Sequence, residues 1–402
     1  MITKVVYIHN DKPFDVYQKD IDDPEILPNI IDSITFFQDL YIPSIEGEII
    51  ITDFGLYDLL PLDYKDKIRI YTINPIYNSE DKTFEIGKDY YTEFRILSAE
   101  MMSSEPNILD KDNFKQFVLR IIDDMSFRCY LEKESVRYID KTVTDIVKDI
   151  ITPIWFKPSN IKINPNISLD RYNITFPKWT PYQKLNYLSK FTEFSDGTGC
   201  VFFNSLPVFY EDRKSEYDFN YTNISSLIKN KEDFTNEEYS LTSDVNRVYN
   251  VLLEEDRNRF SSLNSGKFIN NTKMEDTNNR SVLNRKYKSS ELYNDIRYEH
   301  IRPKSVLGLN YEYNHIMKSV FGDYTIFCTV SGDYKRKIGT VIDFKFPSSF
   351  DSLNKKDYYN ETYTGKYLIK SMEHVFVKDE NQRWVYNQKI GLITDEYKGL
   401  DK

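Results

Sequence analysis

The sequence contains a single alanine, Ala99, in 402 residues, along with four histidines and three cysteines. Each shortage excludes something. Cys129, Cys200 and Cys328 are odd in number and far apart, which argues against a disulfide framework and fits buried free thiols made in a reducing compartment. His9, His300, His315 and His374 are scattered, so no zinc-type ligand set is legible. No stretch approaches the roughly 18 apolar residues of a membrane span, and the opening "MITKVVYIHNDKPF" has no secretory pattern. A G-x-S-x-G elbow, a P-loop and a G-x-G-x-x-G turn are all missing, so neither an enzymatic activity nor a cofactor is expected. The segment "DKDNF", Asp110 to Phe114, lacks the glycine and the closing glutamate of a calcium loop and reads as a hairpin turn. The net charge of −10 disfavours tight binding to nucleic acid, leaving DNA only in transit. The scarcity of alanine beside abundant Asn, Lys, Ile and Tyr reflects an AT-rich gene more than a structural demand.

What is present is apolar surface in aromatic form: 32 Tyr and 26 Phe, in a chain that is 40% hydrophobic and 29% charged. That composition folds. The length predicts two to four domains. From Ile30 to about Asp124, "EGEIIITD", "DKIRIYTI", "YTEFRILSAEM" and "NFKQFVLRIIDD" are short strands separated by turns, the grammar of a small antiparallel barrel or sandwich. Further on, "TVTDIVKDII" places Val143, Ile146, Val147, Ile150 and Ile151 on one helical stripe, with Thr142 as cap and Pro153 as stop. A second helix opens at "KWTPYQKLNYLSKF", with Thr180 as N-cap, Pro181 in the first turn, and Leu185, Leu188 and Phe191 on one face. Trp155, Trp179 and Trp384 are expected in cores rather than on a sugar-stacking platform. From Glu254 to about Arg302 the chain is polar with little apolar periodicity, as in a solvated insertion or a partner-binding arm.

"DYKDKI" at Asp63 to Ile68 returns as "DYKRKI" at Asp333 to Ile338. Later segments stay in step. Tyr91 and Thr92 match Tyr363 and Thr364 at an offset of 272, Ser98 and Glu100 match Ser371 and Glu373 at 273, and "QFVLRIIDD" matches "NQKIGLITD" at 271. Ordered matches of this kind predict a duplicated module. The barrel-repeat positions are Asp63, Tyr64, Lys65, Ile68, Phe94, Ser98 and Glu100 in one copy, and Asp333, Tyr334, Lys335, Ile338, Tyr367, Ser371 and Glu373 in the other. Ile68 and Ile338 are expected to turn inward, and Asp63 and Asp333 to be turn residues. The fold class is mainly β with an α+β domain. A first β-barrel domain spans 1–127, an α+β middle domain 128–205, and a second barrel 206–254 with 305–397. That second barrel is split by a polar insertion at 255–304, and 398–402 form a tail.

The segments "YIPSIEGEIIITDFGLYDLLPLDYKDKIRI", "WTPYQKLNYLSKF" with "GCVFF", and "GDYKRKIGTVIDFKFP" with "GKYLIKSMEHVF" together resemble the baseplate hub proteins of contractile-tailed phages. The resemblance covers most of the chain except the insertion, and it rests on strand patterns rather than a catalytic motif. It implies a homotrimer whose two tube-type domains per chain imitate sixfold symmetry. The implied partners are a trimeric spike protein, a tail tube or tube-initiator protein, a tape measure protein and baseplate wedge proteins. The implied location is the virion's tail baseplate, after synthesis in the host cytoplasm. The alternatives are a hub of a type VI or related injection system, and a tail-associated carbohydrate-binding or glycan-cleaving protein.

Overall fold

A computed structural model describes residues 2–18, 31–53, 66–73, 76–78, 83–85, 89–102, 115–154, 160–195, 199–206, 218–229, 238–240, 243, 246–255, 271–276, 281–286, 299–303, 324–334, 336–346, 360, 363–379 and 383–394. Strand alternation fixes its first part. The strands there are β1 (Ile2–His9), β2 (Lys12–Gln18), β3 (Ile31–Asp39), β4 (Ile42–Asp53), β5 (Lys67–Ile73), the short pair β6 (Ile76–Asn78) and β7 (Thr83–Glu85), β8 (Asp89–Met102) and β9 (Lys115–Asp123). They pair antiparallel in the order β3-β4-β9-β8-β5-β1-β2. The tight β1–β2 turn uses Asn10 and Asp11 at positive φ, the left-handed pair a two-residue hairpin needs. Ile34, Phe36, Ile49, Ile68, Phe94 and Leu119 fill the core beneath.

The middle part changes period. Helix α1 (Asp124–Leu131) is capped by Asp123, whose carboxylate accepts from Ser126 N at 2.7 Å and from Ile45 N at 2.9 Å. Strand β10 (Glu134–Thr142) leads into α2 (Val143–Ile151), where Thr142 Oγ1 accepts from Asp145 N and all five residues of the apolar stripe are buried. Then come β11 (Ile161–Ile163), β12 (Arg171–Trp179), α3 (Pro181–Ser189), β13 (Cys200–Ser205), β14 (Asp218–Asn223) and the short α4 (Ile224–Lys229). At α3, Thr180 and Gln183 form a reciprocal capping box. Two small sheets result, β10-β12 and β11-β14-β13. Two of the boundaries drawn from sequence move. The one at 127 falls inside α1, and β14, beyond the one at 205, still supplies Phe219 and Tyr221 to the middle core, because its alternate side chains point there. Among the described residues no helix is long and apolar enough to cross a membrane.

The last part comprises β15 (Glu238–Tyr239), β16 (Val248–Glu255), β17 (Asn271–Asp276), β18 (Ser281–Lys286), β19 (Glu299–Pro303), β20 (Tyr324–Ser331), β21 (Val341–Phe344), β22 (Gly365–Lys378) and β23 (Trp384–Ile393). Strands β17 to β19 form their own sheet, so the polar insertion has regular structure that its lack of apolar periodicity did not announce. The remaining strands repeat the first part. The order β16-β20-β23-β22-β21 reproduces β3-β4-β9-β8-β5, antiparallel at every step. Registers correspond: Ile31↔Ile51 with Val248↔Val330, Ile49↔Leu119 with Cys328↔Ile390, and Ile96↔Ile121 with Ile369↔Leu392. Even irregularities recur. The ladder slips between Ile31 and Ser33 and between Val248 and Asn250, then again between Ile96 and Ser98 and between Ile369 and Ser371. Bulges are designed features of a strand pair, so four matched slips mark one ladder built twice.

Candidate assembly surface

Where the two modules meet, β22 pairs with β3 from Ser371↔Asp39 to Val377↔Ser33. One strand therefore serves two sheets' worth of partners. Its first residues, Gly365 to Leu368, pair with β21, and beyond the bulge the same edge turns to β3. Aromatic faces lie under this seam. Phe36 stacks on His374 at 4.5 Å, and Phe376 lies flat on Tyr386 at 4.3 Å with 1° between the planes. Tyr334 of the second module stacks on Tyr386 at 4.7 Å and enters the first module's core.

A buried polar network runs through the seam. Gln38 Nε2 lies 2.7 Å from His374 Nε2, while Gln38 Oε1 accepts from Leu206 N at 3.0 Å. With its oxygen so engaged, the amide donates, and His374 Nε2 must accept. The other ring nitrogen then donates to Tyr386 Oη at 2.7 Å. Burial, helped by the nearby Arg336 charge, pushes the His374 pKa down to about 3, consistent with a neutral ring. Arg336 is itself buried and donates to Tyr239 Oη, Ser331 O, Asn246 Oδ1 and Gln388 Oε1. Four neutral acceptors, rather than a carboxylate, take its donors among the described residues. These groups hold the two modules of one continuous sheet in a single orientation; sequence reasoning missed all of them. The available signal was a polar residue at an inward strand position, as Gln38 and Gln388 are.

The residues singled out from sequence divide in three. Asp63, Tyr64, Lys65 and Lys335 lie outside the described residues, as does the "DKDNF" turn. Phe94 and Tyr367 are buried at matching register, and Ser98 and Ser371 both follow the bulge. Glu100 reaches Arg120 at 3.5 Å, and Glu373 reaches Lys389 at 3.1 Å. Asp333 opens a turn, its carbonyl accepting from Arg336 N at 3.3 Å. Ile68 and Ile338 are both buried, but they are not counterparts. Ile68 pairs with Phe94, and in the second module Tyr367 pairs with Ile342. Ile338 sits in the turn ahead of β21. The quoted match is thus four residues out of step with the ladder, because hydrogen-bond register and not wording sets equivalence.

A cleft of about 480 Å³ opens between the β3–β4 turn and the middle part, lined by Tyr41, Pro43, Tyr130, Lys133, Tyr182 and Phe202 among others. Of its lining residues only Lys133 carries a charge. No cluster of three or more His, Cys, Asp or Glu side chains able to hold a metal ion occurs among the described residues. Trp179 and Trp384 pack against cores, and Trp155 lies outside the described residues.

No protein-family model matches the chain, and no curated protein does. Solved structures do. A tail protein from Neisseria meningitidis MC58 superposes with a TM-score of 0.55 at 11% identity, covering 98% of this chain and 96% of that one. The 43 kDa tail protein of prophage MuSo2 from Shewanella oneidensis gives 0.54 at 10%, with 98% of each chain covered. A chain of a Francisella PdpA-VgrG complex gives 0.51 at 13%, where 99% of this chain spans 52% of its length. At such identities the likeness is one of fold.

Proposed function

We propose that this chain, built on the fold of phage tail proteins, is the structural hub of a contractile tail's baseplate. Three copies close into a ring, and their six modules present near-equivalent faces to a hexameric tail tube while the chain's threefold symmetry meets a trimeric spike. The observation that carries this reading is the repeated ladder: two modules matched to the level of their bulges within a single chain. A tube or tube-initiator protein, a tape measure protein and wedge proteins are the other partners. The ring leaves a channel for tape measure and DNA passage and performs no catalysis. The same fold would serve as hub in a type VI or related injection system, where it would join a different spike.

Gold-labelled antibody on purified tail particles tests the assignment. Label at the baseplate end is expected; label along the tail fibres, or none on intact particles, contradicts it. The aromatic cleft favours one second reading, glycan binding at Tyr41, Tyr130 and Phe202. A glycan array with the purified protein decides it, since retention abolished by Tyr130→Ala would support it and a blank array would remove it.

A further inference from the structure

The cleft between the β3–β4 turn and the middle part is held in shape by one of its own lining residues. Tyr182 is buried, and its hydroxyl donates to Pro43 O at 3.1 Å, accepts from Asn204 Nδ2 at 3.1 Å and lies 2.7 Å from Ser126 Oγ. Its ring meets Tyr130 edge-on at 5.0 Å and Phe202 at 6.1 Å. The aromatic wall is therefore fixed before anything binds, which lowers the cost of binding. Around it Tyr130, Ile42 and Leu131 are 44%, 42% and 60% exposed. The polar lining is one-sided. Lys133 Nζ, Gln183 Nε2 and Asn186 Nδ2 are donors that no group among the described residues accepts, whereas Gln183 Oε1 already takes Thr180 N at 2.9 Å. Gln183 and Asn186 are three residues apart on α3 and share its exposed face. No carboxylate lines the cleft.

We infer that this cleft takes a proline-rich segment of a partner protein, bound as an extended polyproline helix with an acidic residue beside Lys133. Proline has no N–H, and a polyproline helix makes no internal hydrogen bonds, so such a segment brings carbonyls that need donors and few donors of its own. That is the complement of a lining rich in unused donors. Tyrosine, phenylalanine and proline faces pack against pyrrolidine rings, and the preset φ of the ligand leaves little to order on binding. A sugar fits less well, because its hydroxyls donate as well as accept and no carboxylate is there to receive them. Charge selects the flank. Lys133 is the one charged lining residue; neither Glu132 nor Glu134 lines the cleft, and Glu134 is already paired with Lys184 at 2.9 Å. The inference goes beyond the hub reading and does not rest on it.

The test is an array of immobilised decapeptides, Pro-x-x-Pro and Gly-x-x-Gly with the remaining positions varied, probed with the full-length protein. Retention is expected on Pro-x-x-Pro peptides that carry Asp or Glu. In solution, with the tightest of these labelled for fluorescence anisotropy, Tyr130→Ala should weaken binding about tenfold, the loss of an aromatic anchor. Lys133→Glu, at an exposed position, should leave the melting curve unchanged and turn a preference of about threefold for the acidic peptide into one for its Lys-bearing counterpart. A blank array, Gly-x-x-Gly peptides held as tightly as Pro-x-x-Pro ones, or binding indifferent to Tyr130→Ala would overturn the inference. A preference that Lys133→Glu leaves in place would overturn the acidic flank. Saccharide retention that Tyr130→Ala abolishes, beside a blank peptide array, would give the cleft to a glycan instead.

Discussion

The two modules share a ladder but treat its ends differently. In the first, β3 turns into β4 through Leu40 and Tyr41 alone; in the second, residues 256–323 intervene between β16 and β20. The register on either side of that long insertion still matches the tight hairpin, pair for pair. Closing a longer loop costs entropy that grows only with the logarithm of its length, so a buried ladder tolerates it. The outer strand differs too. β1 lies antiparallel on β5 for most of its length, whereas β15 offers two residues, parallel to β21. What both modules keep is the four-strand centre and its bulges, and these are the parts that position the seam.

The largest effect should come from uncoupling the modules. Phe376 is fully buried between Phe36 and Tyr386, so Phe376→Ala should cost about 3–5 kcal/mol by truncation and cavity formation. Urea unfolding followed by tryptophan fluorescence should then split into two transitions; one unchanged transition would mean that the seam does not couple the sheets. A second contrast sits at one register position, where the first module has Arg120 opposite Ser98 and the second has Gly391 opposite Ser371. A Cβ on Gly391 would lie 2.3 Å from Ser371 Oγ. Gly391→Ala should therefore cost about 1–3 kcal/mol. Adding Ser371→Gly should recover part of that loss in the same denaturation assay.

Acid separates the regions next. His374 at the seam has its pKa pushed down to about 3, below its unfolded value near 6.5, so its contribution is present above 6.5 and lost as pH falls toward 3. Asp123, at the start of α1, is raised to about 6 by burial, so its contribution is present below its unfolded value of 3.8 and lost as pH rises through 6. Between pH 6 and 4 each amounts to about 1.4 kcal/mol per pH unit, with opposite signs. Relative to wild type, His374→Gln should therefore become more stable on acidification, and Asp123→Asn less. Parallel profiles for all three proteins would refute the assignment. The smallest effect belongs to the helix caps. Thr180→Ala, which breaks a reciprocal box, and Thr142→Ala, which removes the bonds from Asp145 N and to Asp145 Oδ2, should each cost about 1 kcal/mol by thermal melts.

Much of this was legible in the sequence where local chemistry decides. Thr142, Thr180 and Pro181 start the helices that their side chains predict. The offsets of 273 and 271 read from "YTEFRILSAE" and "QFVLRIIDD" are those of the paired strands, because Ile96↔Ile121 and Ile369↔Leu392 obey both. Where tertiary register decides, reading failed. The DYK match misled because strand offsets drift at bulges and loops, and resemblance in a Tyr- and Lys-rich turn says nothing about which residues exchange hydrogen bonds. Helix α1 was hidden by its mixed surface, with only Ser126 and Cys129 buried on it. The polar seam was illegible because Gln38, Arg336, His374 and Gln388 are far apart in sequence and meet only once both sheets are built.

The most direct test of the central claim, that two equivalent modules per chain let three copies act as six, is native mass spectrometry of the purified full-length protein with electron-microscopy class averages of the same sample. The account predicts a trimer whose averages show a six-lobed ring with a central hole. A compact particle that stays monomeric at every concentration would contradict it.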